Sequence, residues 1–167
     1  MSEMFKNEVE LEEDTQKDKF LTFFLGDEVY GIEIKFVTEI IGMQSVTEIP
    51  DLPGYVKGII NLRGKIIPVI DVRLRFKKLS REYNDRTCIV VVDIKGVAVG
   101  LIVDTVAEVL TIKNQDIVLP PQFNNGSHYQ RFIKGIGKVD NHVKLILDCD
   151  RLLNDNEMNS LEQISSE

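Results

Sequence analysis

Gly58–Asp71 reads GIINLRGKIIPVID, and its reading decides the fold. Two apolar pairs, Ile59-Ile60 and Ile66-Ile67, flank the tetrad Asn61-Leu62-Arg63-Gly64. Short apolar runs on either side of a glycine-containing turn predict a hairpin of two buried strands. Gly64 suits the turn position that needs a positive φ. Arg63 is then left at a strand end, between strands that bury everything else. Two readings stay open for its guanidinium: a solvated turn residue, or a fixed contact for a partner on a rigid scaffold. Pro68 marks the second strand as an edge or a bulge.

Outward from the hairpin, the chain divides into short strands. Phe20–Leu25 is apolar enough to be covered on both faces, and Val29–Ile34 returns after Gly26-Asp27-Glu28. In Lys35–Ile41 the spacing of Phe36, Val37, Ile40 and Ile41 predicts a short helix that ends at Gly42. In that helix Phe36 and Ile41 pack inward, while Val37 and Ile40 share an outward side. Val46–Ile49 reads as a short strand, Val72–Phe76 as one helical turn and Lys77–Arg86 as a polar connector. Thr87–Ile94, Val97–Val103 and Ala107–Ile112 are strands, and Lys113–Gln130 is a long loop. Arg131–Lys138 and Val143–Leu147 form a last hairpin across Asp140-Asn141. A helix follows Asp148, with Leu152, Leu153, Met158, Leu161 and Ile164 as its apolar set and an interruption at Asn154–Asn156.

The chain also echoes itself. Gly31 followed by Val37-Thr38-Glu39-Ile40-Ile41 is matched, at the same spacing, by Gly100 followed by Val106-Ala107-Glu108-Val109-Leu110. Ile49-Pro50 matches Leu119-Pro120, Lys57-Gly58-Ile59 matches Lys134-Gly135-Ile136, and the strand ending at Asp71 matches the one ending at Asp148. Four matches in the same order predict two related β units of about 70 residues, and ten strands divide as five per unit. Short strands with frequent turns point to small barrels or a sandwich.

The chain has 167 residues, enough for one domain or two small halves sharing a core. Its net charge of −7 is uneven. Residues 1–18 carry seven acids and two lysines, and residues 154–167 carry four acids and no base, so the core is slightly basic. We read 1–18 as a disordered acidic tail, 19–153 as the working domain and 154–167 as an acidic C-terminal helix or tail. There is no apolar run of bilayer length and no signal-peptide pattern, so the expected location is cytoplasmic. Arg73, Arg75, Lys77, Lys78, Arg81 and Arg86 form the one basic stretch, read as a solvated connector rather than a nucleic-acid footprint. Cys88 and Cys149 sit in or beside apolar segments and read as buried free thiols.

No residue pattern points to catalysis. His128 and His142 lack ligand partners at metal-binding spacing, so no metal is expected. NLRGK lacks the glycine spacing and Ser/Thr of a phosphate loop, and Ser80 has no nucleophile motif around it. Asp71 and Asp148 end equivalent strands and read as caps for the next turn. Two other classes stand as alternatives. An enzyme would use Asp71, Asp148 and Arg63. An oligonucleotide-binding barrel would need a basic surface and stacking aromatics, which are missing. A rigid β scaffold without chemistry shifts the weight to protein binding.

LGDEVYGIEI, VTEII, VKGIINLRGKIIPVIDVR, VVVDIKGVAVGLIVDTVAEVL, KGIG and LILD together resemble the CheW family of bacterial chemotaxis coupling proteins. The likeness runs from about Phe20 to Leu153. The same domain ends the histidine kinase CheA and begins the hybrid protein CheV, but no kinase, phosphotransfer or receiver segment is encoded here. The resemblance implies a mainly β fold: two five-stranded SH3-like β-barrels around a shared apolar core, with short helices and a C-terminal helix. It implies a non-catalytic, cofactor-free adaptor between the cytoplasmic tip of methyl-accepting chemoreceptors and the regulatory domain of CheA. Such an adaptor is recruited to membrane-associated arrays without entering the membrane. By matching position it places receptor contacts on Val37, Ile40, Lys57, Gly58 and Arg63; kinase contacts use barrel ends in the family, and the stretch with Val97, Val99 and Gly100 is the candidate for them. A paralogue serving another array, such as one for surface motility, is the alternative within the family.

Overall fold

A computed structural model describes residues 16–120 and 130–166. The strands are β1 (Lys19–Leu25), β2 (Glu28–Glu33), β3 (Val37–Gly42), β4 (Val56–Leu62), β5 (Lys65–Asp71), β6 (Cys88–Ile94), β7 (Val97–Val103), β8 (Thr105–Thr111), β9 (Ile117–Val118), β10 (Ile133–Val139) and β11 (His142–Leu147). One turn of α-helix, α1 (Val72–Arg75), follows β5, and a longer helix, α2 (Asp155–Ser166), closes the chain. The protein is thus mainly β, built from two SH3-like sheets.

The sequence echo is real, but the sheets are not the repeats. One sheet has the order β8-β1-β2-β11-β10-β9 and the other β3-β6-β7-β5-β4. Each repeat contributes its first hairpin to the sheet made by the rest of the other repeat. Hairpin β1-β2 is inserted between β8 and β11, and hairpin β6-β7 between β3 and β5. Corresponding strands therefore occupy corresponding places, and with β9 set aside there are five per unit, β3 standing in for the strand expected at Val46–Ile49. The counterpart of β9 in the first unit is a single bridge, Thr47 to Ile59. It replaces the strand expected at Val46–Ile49, because Pro50 and its flanking loop leave no further partners.

The exchange explains the glycines of the echo. Gly31 pairs with Ile146 and Gly100 with Val69 where the inserted hairpins run parallel to β11 and β5. A Cβ on Gly100 would stand 2.7 Å from Val69 Cγ1 and 2.8 Å from Ile89 Cγ2. Gly100→Ala is expected to cost about 1–3 kcal/mol, the range for forcing a methyl into a packed core. Urea unfolding measures it, and an unchanged midpoint would mean that the sheet relaxes freely.

Strand alternation sorts the side chains into one shared core and two smaller ones. Leu21, Phe23 and Leu25 of β1 and Val90, Val92 and Ile94 of β6 face each other between the sheets. Ile89 and Val91 turn instead into the cluster with Ile60, Ile67 and Val69, and Phe20 joins Ile112 and Ile146. That is why Phe20–Leu25 and Thr87–Ile94 are apolar at nearly every position: both faces are covered. An aromatic row runs through the shared core: Phe23–Tyr30, Tyr30–Phe76 and Phe76–Phe132, with ring centroids 5.8, 5.5 and 5.2 Å apart.

Several expectations need correction. The helix predicted over Lys35–Ile41 is a single 3-10 turn, Ile34–Phe36, followed by strand β3. The β-branched residues Val37, Thr38, Ile40 and Ile41 find a sheet edge to pair with, and tertiary pairing overrides a helical spacing. Pro68 is not on an edge strand. β5 lies between β7 and β4, but its pairing with β7 begins only at Val69, so Pro68 is spared a missing donor. The predicted loop 113–130 carries a 3-10 turn and β9, while residues 121–129, including His128, lie outside the described residues. The helix expected after Asp148 is interrupted: a 3-10 turn over Cys149–Arg151 precedes a break that ends at Asn154, which starts the helix proper. Its Oδ1 accepts from Glu157 N at 2.8 Å and Glu157 Oε1 accepts from Asn154 N at 2.9 Å, a reciprocal cap. Met158 and Leu161 of α2 are buried against the shared core.

Of the acidic N-terminal stretch, residues 1–15 lie outside the described residues. Asp18 is pinned, its carbonyl accepting from Ile112 N at 2.8 Å. The arginines of the predicted solvated connector are partly buried, with Arg73 15 % and Arg75 11 % exposed at the side chain. Arg75 lies over the rings of Tyr55 and Phe132, donates to Leu152 O at 2.8 Å and pairs with Glu157, tying α2 to the barrels. Asp71 and Asp148 do cap the turns that follow them, accepting from Leu74 N and Asp150 N. Cys149 is a buried free thiol, pushed up to about 12 by burial, and Cys88 is free but half-buried.

Candidate functional site

The β4–β5 turn is two residues long, and both Arg63 and Gly64 have positive φ, +52° and +85°. This is the tight turn whose twist matches a hairpin. Asn61 Oδ1 locks it by accepting from Gly64 N at 2.8 Å. The same chemistry recurs at Lys95-Gly96, where Asp93 Oδ1 accepts from Gly96 N at 2.8 Å. Arg63 therefore has the backbone of a glycine-like position and projects from a rigid tip.

Its guanidinium reaches Glu39 of β3 in a charge-assisted hydrogen bond, which raises the Arg63 pKa further above its ordinary range. β3 and β4 stand at opposite edges of their sheet, so this contact requires the sheet to curl until its edges meet. The Thr47–Ile59 bridge closes the same seam, with Thr47 N donating to Ile59 O and Ile59 N to Thr47 O, both at 2.9 Å. The Arg63 side chain is 72 % exposed, and a pair so exposed adds little to stability. What it does is hold a forked donor beside an open strand edge.

β3 supplies that edge. It pairs with β6 on one side only, with a bulge between Val37 and Glu39. Thr38 Oγ1 donates to Val91 O at 3.0 Å across the bulge. Residues alternate along the strand. Val37, Glu39 and Ile41 are half-buried, Thr38 and Ile40 exposed, and Ile40 is 44 % exposed. The expectation that Val37 and Ile40 share one outward side depended on a helix and is corrected: Val37 packs on the shared core and Ile40 faces out. Phe36 and Ile41 pack inward as expected.

Lys57 and Gly58 lie near the other end of β4, about 20 Å along the strand from the Arg63 tip. Lys57 sits 6.0 Å from the Tyr83 ring centroid and lines a small cleft with Met43, Val46 and Glu48. Gly58 is buried in a bulge at φ +147°, and a Cβ there would stand 2.0 Å from Thr47 O. Its glycine is explained by barrel closure. The structure thus brings Arg63 to β3 through Glu39, whose neighbour Ile40 turns to the other face of the strand, and leaves Lys57 and Gly58 on a separate part of the same barrel.

The three kinase candidates lie on β7 and are enclosed. Val97 is 9 % exposed, Val99 is wholly buried, and Gly100 is enclosed by Val69 and Ile89. β7 is the apolar central strand of its sheet, so alternation sends its side chains into cores on both faces. The exposed part of that hairpin is the turn Lys95-Gly96.

Sequence reasoning missed a second cluster, at the point where the chain crosses between sheets. Asp104, joining β7 to β8, accepts from Arg73 Nε at 2.7 Å, Arg73 Nη2 at 2.5 Å, Arg81 Nη1 at 3.1 Å and Gly26 N at 2.7 Å. Burial alone would raise its pKa, but the Arg73 fork and the other donors outweigh it and the carboxyl titrates below its ordinary range. Beside it Tyr83 OH donates to Asp71 Oδ2 at 2.7 Å. Burial and that bond push the phenol well above its ordinary range. These groups tie the connector to both sheets and line a cavity of about 300 Å³. Among the described residues no group of three His, Cys, Asp or Glu is placed to hold a metal. No helix of the described residues is long and apolar enough to cross a membrane.

The model of the CheW-like domain matches residues 19–157. The chain is 34% identical over 152 residues to the chemotaxis protein CheW of Klebsiella aerogenes, covering 91% of each chain. It is 33% identical to that of Treponema pallidum, covering 87% of this chain and 88% of the relative. The crystal structure of the scaffolding protein TtCheW from Thermoanaerobacter tengcongensis superposes with a TM-score of 0.77 at 40% identity. That match covers 84% of this chain and 97% of the other.

Proposed function

This chain belongs to the CheW-like family, and on that premise we propose that it is a non-catalytic chemotaxis adaptor that couples methyl-accepting chemoreceptors to the histidine kinase CheA. It works in the cytoplasm, held at membrane-associated receptor arrays by its partners. The observation that carries the receptor assignment is the fixed Arg63 fork beside the unpaired edge of β3 with Ile40 outward. A receptor tip is a helical hairpin, and such a partner offers apolar side chains to Ile40 and carboxylates or carbonyls to Arg63. Val37 supports this surface from beneath. Lys57 extends it along β4, and Gly58 shapes the bulge that closes the barrel. The regulatory domain of CheA meets the second hairpin at its exposed turn, Lys95-Gly96.

The test is an NMR titration of the isotope-labelled full chain with a receptor-tip hairpin and then with the CheA regulatory domain. Receptor shifts should cluster at Thr38–Ile40 and Arg63-Gly64, and kinase shifts at Asp93–Gly96. No shift with either partner at millimolar concentration would defeat the coupling reading. Overlapping shifts for both would remove the separation of the two surfaces.

A further inference from the structure

The cavity beside Asp104, about 300 Å³ in volume, has two unlike walls. One is apolar: Phe24 of β1 with Ile102 and Val103 of β7. The other is the polar connector, from which Arg81, Tyr83, Arg86 and Thr87 line the space. An apolar wall facing a few convergent polar groups is the usual form of a small-molecule site.

Donors and acceptors on the polar side do not balance. By formal charge Arg73, Arg81 and Arg86 face Asp71, Glu82 and Asp104. Two of the acids are already engaged. Asp104 takes its four donors, and Asp71, 3 % exposed, accepts from Tyr83 OH at 2.7 Å and Leu74 N at 3.4 Å. Of the arginines, only Arg73 is fully engaged, on Asp104 and Leu79 O. Arg81 gives one nitrogen to Asp104 and keeps the rest of its fork. The Arg86 guanidinium has no acceptor among the described residues. The Thr87 hydroxyl, on a residue 5 % exposed, accepts from Asn84 N at 2.9 Å and donates to no described group. The backbone carrying these donors is a closed turn. Thr87 N donates to Asn84 O at 3.1 Å, and Arg86 N to Asn84 Oδ1 at 2.8 Å. Glu82 is the one acid of the lining without a partner among the described residues, and it is exposed.

We propose that this cavity binds a small phosphomonoester, with its phosphate on Arg81, Arg86 and Thr87 and its organic group against Phe24 and Ile102. A phosphate group offers three strong acceptor oxygens to three donor side chains, where a carboxylate offers two. Guanidinium forks match its geometry. The volume stands at the lower end of ligand pockets, so the organic group is small. Bound there, the ligand clamps the connector to the β7–β8 crossing.

The test is an NMR titration of the isotope-labelled full chain with phenyl phosphate and, separately, with inorganic phosphate. Phenyl phosphate should give saturable shifts at Gly26, Asn84–Thr87 and Asp104-Thr105, and should bind more tightly than inorganic phosphate. Arg86→Gln should weaken binding about tenfold or more, the loss of one charged hydrogen bond, with the fold unchanged because the side chain has no partner to lose. Glu82→Gln should tighten binding, because it removes a free carboxylate beside the phosphate. No saturable shift at about 10 mM phenyl phosphate, well above a millimolar Kd, would overturn the proposal. So would the same shifts from sodium chloride at equal ionic strength, or an affinity that Arg86→Gln leaves unchanged. Phenyl phosphate binding no more tightly than inorganic phosphate would overturn the ligand class.

Discussion

Asp104→Ala is expected to destabilise the protein by about 3–5 kcal/mol, the range for removing one partner of a buried, hydrogen-bonded ion pair. The loss is large because four donors converge on one carboxylate, from the β1–β2 turn, α1 and the connector. Removing it leaves Arg73, 15 % exposed, without its acceptor in the junction between the sheets. Urea unfolding at neutral pH measures the effect, and a change under 1 kcal/mol would show that water replaces the carboxylate freely. The pH dependence has a definite sign. The folded-state pKa of Asp104 lies below its unfolded value, so its contribution is complete above about pH 4 and is lost as pH falls through the folded value. Asp104→Asn keeps the shape but not the charge. Its deficit relative to the parent should therefore shrink as the pH is lowered from 7 to 3. An equal deficit at both values would assign the effect to geometry alone.

Arg63→Glu should leave the fold intact and weaken receptor-tip binding by about tenfold or more, since it replaces attraction with repulsion at the contact. Stability should change little because the Arg63–Glu39 pair is exposed. Two variants separate direct contact from shaping of β3. Arg63→Ala removes the fork alone and should bind more weakly than the parent but better than Arg63→Glu. Arg63→Glu with Glu39→Arg restores an ion pair of reversed polarity. If Arg63 contacts the receptor, this double variant stays weak. If the pair merely positions β3, binding returns, and calorimetry with a receptor-tip hairpin distinguishes the two.

Much of the site was legible because the turn itself is local. Asn61-Leu62-Arg63-Gly64 needs no distant partner to form its hairpin, so Arg63 could be placed at a tip from sequence. Glu39 could not be named as its partner, because that contact depends on two sheet edges meeting. The helix expected at Lys35–Ile41 failed for the same reason: its apolar spacing fits a helix, but the vacant edge of β6 offers backbone pairing that local spacing does not reveal. The burial of Val99 and Gly100 was not legible, because an apolar strand between turns does not disclose how many sheet faces cover it. Asp104 was missed although Arg73, two residues after the cap Asp71, was already singled out as basic. Nothing in sequence order brings residues 26, 73, 81 and 104 together.

By itself the sequence determined most of the strands, their tight turns, the two capping aspartates and the twofold repetition, because each rests on side-chain alternation and on backbone preferences within a few residues. Only the tertiary structure decided which strands share a sheet. Each repeat's first hairpin completes the other repeat's sheet, because a run buried on both faces, such as β1 or β6, must be covered from two sides. The exchange places that run between its own barrel interior and the shared core, and thereby sets which side chains remain for a partner.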